Sequence, residues 1–262
     1  MAVITLTTDW RGDDYYTGAV KGMILSHNPQ ARIIDITHKI NPFNVAQAAF
    51  ILRNSFIYYP KGSVHIIDVN AEATANHKHI AVFYKQHYFI TADNGFFGLL
   101  MRDDEPEKVV TIDTIQTDKC RTFPALHIFA PAAAAICAGK TMESLGSELK
   151  EINRQIPIRP TIGEAVISGS IIYIDSYQNA ITNISSDLFA RIGKGRKFEI
   201  LVQSLQHKIT HINQTYGETL EGELLAVFNS AGLLEIAINR GNAAELLNLG
   251  INSGVRVKFL GE

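Results

Sequence analysis

The stretch Thr7-Thr8-Asp9-Trp10-Arg11-Gly12-Asp13-Asp14-Tyr15-Tyr16-Thr17-Gly18 closes the β-branched run Val3 to Thr8 and opens a segment of helical period, Thr17 to Ser26. In that segment Ala19, Val20, Met23 and Ile24 share one face. A strand, a polar turn and a helix make one βα unit. The turn sets Asp9, Asp13 and Asp14, two tyrosines and the only tryptophan where a buried strand ends, the usual ligand position in an open α/β sheet.

Outward from this unit the pattern repeats. Ile33 to Thr37 reads as a short apolar strand and Ser63 to Val69 as another, with a long helix over Val45 to Tyr58 between them. Ile80 to Tyr84 and Tyr88 to Thr91 form a hairpin, Ala92-Asp93-Asn94-Gly95 a turn, Val109 to Ile112 a further strand and Ile128 to Ala138 a buried, Ala-rich helix. Alternating strands and helices predict an α/β domain with a mostly parallel sheet over residues 1–150. Pro157 and Pro160 in a polar stretch mark a linker, 151–163. Over 164–262 the helical period mostly disappears, and short apolar runs between turn residues predict an all-β, barrel-like domain.

The 262 residues, 46% hydrophobic and 19% charged, suffice for a large core, and a formal charge of -2 supplies no basic field for nucleic acid or a membrane surface. No run approaches a spanning helix and no basic leader precedes Val3, so a cytoplasmic chain is expected. Cys120 and Cys137 lack metal-ligand spacing, and Cys137 reads as a small core residue. Signatures for dinucleotide, P-loop, zinc-protease and serine-hydrolase chemistry are missing from the sequence.

Asp9, Asp35 and Asp68 each end or nearly end an apolar run, so a parallel sheet would bring some of them toward one edge, although Asp at such a junction is also a good N-cap. His77, His79 and Glu72 share a polar loop, where solvated histidines outweigh a metal site; His207 and His211 are expected to face solvent, and His38 and His65 to cap or line the sheet. In the second domain Asp175-Ser176-Tyr177-Gln178-Asn179 joins two strands and offers adenine a ring for stacking and an amide for its edge.

Together these motifs resemble the S-adenosyl-L-methionine (SAM) hydroxide adenosyltransferases, the SAM hydrolases related to fluorinase and chlorinase. The resemblance runs over nearly the whole chain. It rests on Thr7, Thr8, Asp9, Trp10, Asp14, Tyr16 and Gly18, where the family has Thr-Thr-Asp-Phe-Gly followed by Asp, Tyr and Gly. It continues through Asp35-Ile36-Thr37-His38, Ala92-Asp93-Asn94-Gly95, the Asp175 to Ile184 segment, Asn229-Ser230-Ala231-Gly232 and Gly241-Asn242-Ala243-Ala244. The resemblance implies a homotrimer whose SAM or adenosine site lies at a subunit interface, with SAM as substrate or ligand and no further cofactor or metal. Asp9 would hold the ribose, Tyr177 and Asn179 the adenine with Tyr216 as a second ring, and Asp14, Asp175 and Ser230 the methionine end. Trp10 would line the same site.

The implied reaction is attack of water or hydroxide on C5′, giving adenosine and methionine. The family's water-activating Asp is Asp68 here, but Ala75 stands at its Arg and Pro124 at its His. His127, one turn beyond Pro124, is the candidate substitute, with His77 two positions past Ala75. The alternatives are a SAM or adenosine binder without turnover, and a transferase that uses another nucleophile such as halide.

Overall fold

The computed structural model describes residues 3–74, 77–113, 122–203 and 207–261. Cys120 and Ala75 lie outside them. The chain divides into two compact units, Met1–Pro157 and Ile158–Glu262.

In the first unit β1 (Val3–Thr8), β2 (Arg32–Thr37), β3 (Val64–Asp68), β4 (His79–Tyr84), β5 (His87–Ala92) and β6 (Lys108–Thr111) form one sheet in the order β2-β1-β3-β5-β4-β6. The pairs β1/β2, β1/β3 and β3/β5 are parallel, whereas β4 runs antiparallel to both its neighbours, so the sheet is mixed but mostly parallel. Helices α1 (Tyr16–His27), α2 (Val45–Arg53), α3 (Phe96–Met101) and α4 (Ala130–Cys137) cover it. Val20 and Ile24 of α1 pack with α4 on one face, and Ala48, Ala49 and Leu52 of α2 pack with α3 on the other. Cys137 packs half-buried beside the α1/α4 core.

The expected long helix over Val45 to Tyr58 is two elements. α2 stops at Arg53 because Asn54 Nδ2 donates to the Phe50 carbonyl (2.8 Å) and Ser55 Oγ to that of Ile51 (2.9 Å), satisfying the last turn from the side chains. A separate 3₁₀ turn, Phe56–Tyr58, then sinks Phe56 into the core.

In the second unit β7 (Thr161–Ile162), β8 (Val166–Ile174), β9 (Ala180–Ser185), β10 (Lys197–Val202), β11 (Lys208–Ile209), β12 (Leu224–Phe228), β13 (Leu233–Ile238) and β14 (Gly254–Leu260) form an antiparallel sheet. Its order is β11-β10-β14-β8-β9-β13-β12, with β7 on β8. The sheet curls until the Asn213 N–H reaches the Ala226 carbonyl (2.8 Å), nearly closing a barrel. Two helices that the sequence pattern did not suggest accompany it, α5 (Ser186–Gly193) and α6 (Ala243–Leu246). α5 begins at a capping Ser185, which accepts the Leu188 N–H, and Phe189 packs edge-on against Phe198, Phe228 and Phe259.

His65 is fully buried in β3, with Nδ1 2.7 Å from Thr5 Oγ1 and Nε2 3.2 Å from Nδ1 of buried His87. Two neutral rings satisfy this chain and a charged one does not. Burial, then His87, pushes His65 down to about 3, and burial lowers His87 as well. The unfolded chain therefore binds protons that the folded one refuses, and stability falls as pH drops from about 6.5 toward 3, by roughly 1.4 kcal/mol per pH unit for one such group. Thermal melts from pH 7 to pH 4 will show this decline. The paired Thr5→Val/His65→Phe variant, which removes donor and acceptor together, is expected to flatten it by one group's share.

Candidate functional site

β2 lies on one side of β1 and β3 on the other, with α1 and α2 crossing on opposite faces. This is a topological switch point, and the crevice it leaves is at the carboxyl ends of β1 and β3. Thr8 pairs with Asp68 across that gap, so Asp9 and Trp10 leave β1 beside the end of β3. The turn then reverses through Arg11 (φ 63°) and Gly12 (φ 88°). It is laced to the segment after β2: the Arg11 N–H donates to the His38 carbonyl (2.6 Å), and Asp9 Oδ2 accepts the Phe43 N–H (2.8 Å).

Asp68 is 8% exposed, and its Oδ2 accepts the Trp10 indole N–H at 2.9 Å. The indole stacks on His38 (5.9 Å between centroids, 10°) and meets Phe123 edge-on (5.5 Å, 78°), with Tyr16 at 6.1 Å. Burial raises the Asp68 carboxyl to about 7; the indole bond opposes that rise and nearby Asp9 adds to it. Asp35 does not join this pair. Its register opposite Leu6 turns it to Lys21 (2.6 Å) and His38, whose Nδ1 lies 2.7 Å from Thr8 Oγ1. Asp13 and Asp14 are exposed at the turn.

His127 is half-buried in a π-helical turn, Ala125–Phe129, that runs into α4. Pro131 removes the N–H that an α-helix would aim at the His127 carbonyl, and the helix widens there, the Ala130 N–H reaching back to Ala125. Ala125, Ile128 and Phe129 take the core-facing positions, leaving His127 off that face. His79 is not a loop residue: it lies buried in β4, with Nε2 2.9 Å from the Ala71 carbonyl, and burial lowers its pKa. Among the described residues no three His, Cys, Asp or Glu side chains gather as a metal-binding set, and no helix is long and apolar enough to cross a membrane. His211 is exposed and His207 half-buried.

Ala92-Asp93-Asn94-Gly95 is a fastening. Asn94 Nδ2 donates to the carbonyls of Val69 (3.1 Å) and Asn70 (2.9 Å), tying down the loop after Asp68, while Asp93 binds the Asn153 backbone and side chain. Gly95 has φ 92°, and a Cβ there would lie 2.4 Å from Gln155 Cγ.

In the second unit Asp175 builds the turn between β8 and β9. Oδ1 accepts the N–H groups of Tyr177 (2.9 Å) and Asn179 (2.8 Å), and Oδ2 accepts Asn179 Nδ2 (3.2 Å). Tyr177, at the tip, is 76% exposed, and Asn179 is buried. A cavity of about 450 Å³ in this unit is lined by Asp175, Tyr216, Ser230, Gln214, Asn229 and Glu235, among others; Tyr177 and Asn179 do not line it. The sequence motifs assign Glu235 no role. It is 2% exposed, and its two oxygens accept the Tyr216 hydroxyl (2.7 Å) and Asn229 Nδ2 (2.9 Å). Burial and then this bond raise the Tyr216 pKa. The available signal was an acid inside the apolar run Leu233 to Ile238, tolerable only with partners.

Residues 4–146 match the SAM hydroxide adenosyltransferase N-terminal domain and residues 169–256 the C-terminal domain of the same name. The chain is 29% identical to the (R)-S-adenosyl-L-methionine hydrolase of Methanocaldococcus jannaschii, over 94% of this chain and 92% of that one. It is 28% identical to the protein of the same name from Thermus thermophilus, over 99% and 100%. A crystal structure of an uncharacterized conserved protein from Thermotoga maritima superposes with a TM-score of 0.88 at 28% identity, covering 98% of this chain and 100% of that one.

The Glu235 arrangement has a measurable cost. Glu235→Ala leaves the Tyr216 hydroxyl and Asn229 amide without their acceptor and is expected to lower stability by about 1–3 kcal/mol. Glu235→Gln, which keeps one acceptor, should lose less. Urea unfolding of the two variants compares them.

Proposed function

Because the chain belongs to the SAM hydroxide adenosyltransferase family, we propose that it hydrolyses SAM to adenosine and L-methionine. The observation that carries this reading is Asp68, a buried carboxyl at the switch-point crevice whose pKa, near 7, suits a general base at neutral pH. Water attacks C5′ in line with the C5′–S bond. As the C5′–O bond forms, the C5′–S pair leaves on sulfur, neutralising the sulfonium to the thioether of methionine, and the water proton passes to Asp68 and on to solvent. The leaving group is already activated, so holding the water and excluding competitors supplies most of what is needed.

Asp9 is assigned to the ribose hydroxyls. Its Oδ2 holds the Phe43 N–H, which fixes the carboxylate at the crevice. Asp14, Asp175 and Ser230 are assigned to the methionine end, where carboxylates suit an ammonium and a sulfonium. Tyr177, Asn179 and Tyr216 are assigned to adenine. Exposed rings on loops that carry these residues, Tyr15 and Tyr177, and on the segment bonded to Asp9, Phe43, fit the homotrimer that the family resemblance implies, in which neighbouring subunits complete each site.

Incubation with SAM in ¹⁸O-water should release methionine and adenosine labelled at the 5′ oxygen, with kcat rising through about pH 7 as Asp68 loses its proton. Asp68→Asn should lower kcat about 10²-fold or more. An unchanged rate in His127→Ala removes His127 from the chemistry. Ligand-induced stabilisation without product would identify a binder, and halide-dependent loss of SAM a halide transferase.

A further inference from the structure

The base at the end of β3 has one hydrogen-bond donor among the described residues, and it is an indole. Trp10 Nε1 lies 2.9 Å from Asp68 Oδ2; Oδ1 accepts no bond from any described residue. The indole is itself held on three sides: by His38 from the segment after β2, by Phe123 ahead of the π-turn, and by Tyr16 from α1. Such a ring has little freedom to rotate, so its N–H fixes the plane of the carboxylate it binds. The position that the family fills with Arg is Ala75 here, and its Phe position is Trp10, an aromatic residue that adds an N–H.

We infer that Trp10 is the positioning residue for Asp68, its indole N–H holding Oδ2 so that Oδ1 is presented to the attacking water. This rests on the hydrolase reading for its role in turnover, while the contact itself can be tested without turnover. A neutral donor orients a carboxylate without fixing a full positive charge beside it, so the base keeps its affinity for a proton. An Arg in the same place would hold the carboxylate ionised and weaken it as a base.

Two measurements separate the contact from the chemistry. Trp10 is the only tryptophan, so its fluorescence reports this site alone. The titratable groups facing the pair are Asp9 on the same turn, His38 against the indole face and Tyr16 from α1, with Asp35 and Lys21 one step beyond His38. The emission should titrate with a midpoint near pH 7; Asp68→Asn should abolish that transition and His38→Gln should leave it. A flat titration, or one lost with His38 and kept without Asp68, overturns the contact.

In Trp10→Phe the ring remains and the N–H is gone. Since the bond favours the ionised carboxylate, the midpoint of the kcat–pH profile should rise by about one to two pH units, with kcat at neutral pH falling more than KM changes. An unmoved midpoint overturns the positioning role, because a merely structural loss would scale the whole profile. If the native chain releases no adenosine while the Asp68-dependent fluorescence transition persists, the hydrolase reading fails and the role in turnover with it, and the contact alone stands.

Discussion

Thr8 stands opposite Asp68 in the parallel ladder of β1 and β3, and the chemistry of the first unit depends on that register. A slip of one residue would turn every side chain of β3 to the other face of the sheet and carry Asp68 away from the turn that bears Asp9 and Trp10. The register is fixed from both faces, by Ile66 packing with α1 and α4 and Ile67 with α2 and α3, and by the His65 link to Thr5 one step back along the strands. The Asn94 bonds to Val69 and Asn70 then hold the chain that leaves Asp68.

The acids of this protein sort by the balance of burial against hydrogen bonding. Glu218 at the surface accepts several backbone and side-chain donors and its pKa is lowered; Asp113, nearly as exposed, is bonded by Thr111 and Ser147 and is lowered too. Asp93, buried, is raised despite two bonds from Asn153 to its carboxyl. Asp68 combines deep burial with a single donor among the described residues and a like charge nearby, which leaves it, among those residues, the carboxyl most ready to take a proton near neutral pH.

Much of this was legible in the residues. The strand-turn-helix at Val3 to Ser26, the mostly parallel sheet and the β-rich second half follow from period and turn chemistry, and the family follows from ordered motifs over nearly the whole chain. Helices α5 and α6 leave no signal in the pattern because eight and four residues do not establish a period. Apolar spacing carries the α2 helix on to Tyr58 because it does not record that Asn54 and Ser55 terminate it through side-chain bonds to carbonyls. At the site, the meeting of Asp9 with Asp68 was legible from strand ends. The indole bond and the Glu235 cluster were not, since each depends on rotamers and on residues 58 and 6 or 19 positions apart.

The π-turn before α4 also governs how this segment tolerates insertion and deletion. A helical residue advances the phase by roughly 100°, and a π-turn holds one residue more than an α-turn over the same span. Deleting one residue from Ala125–Phe129 would let the turn relax to α geometry over the same span, with α4 on the sheet and Phe123 against the indole both keeping their places, whereas a deletion in the regular turns of α4 would swing everything upstream by about that angle. The π-turn is therefore the point at which this segment can lose a residue and keep its wall against the Trp10 indole, so a homologue one residue shorter here would still present the residue that precedes the turn to the crevice.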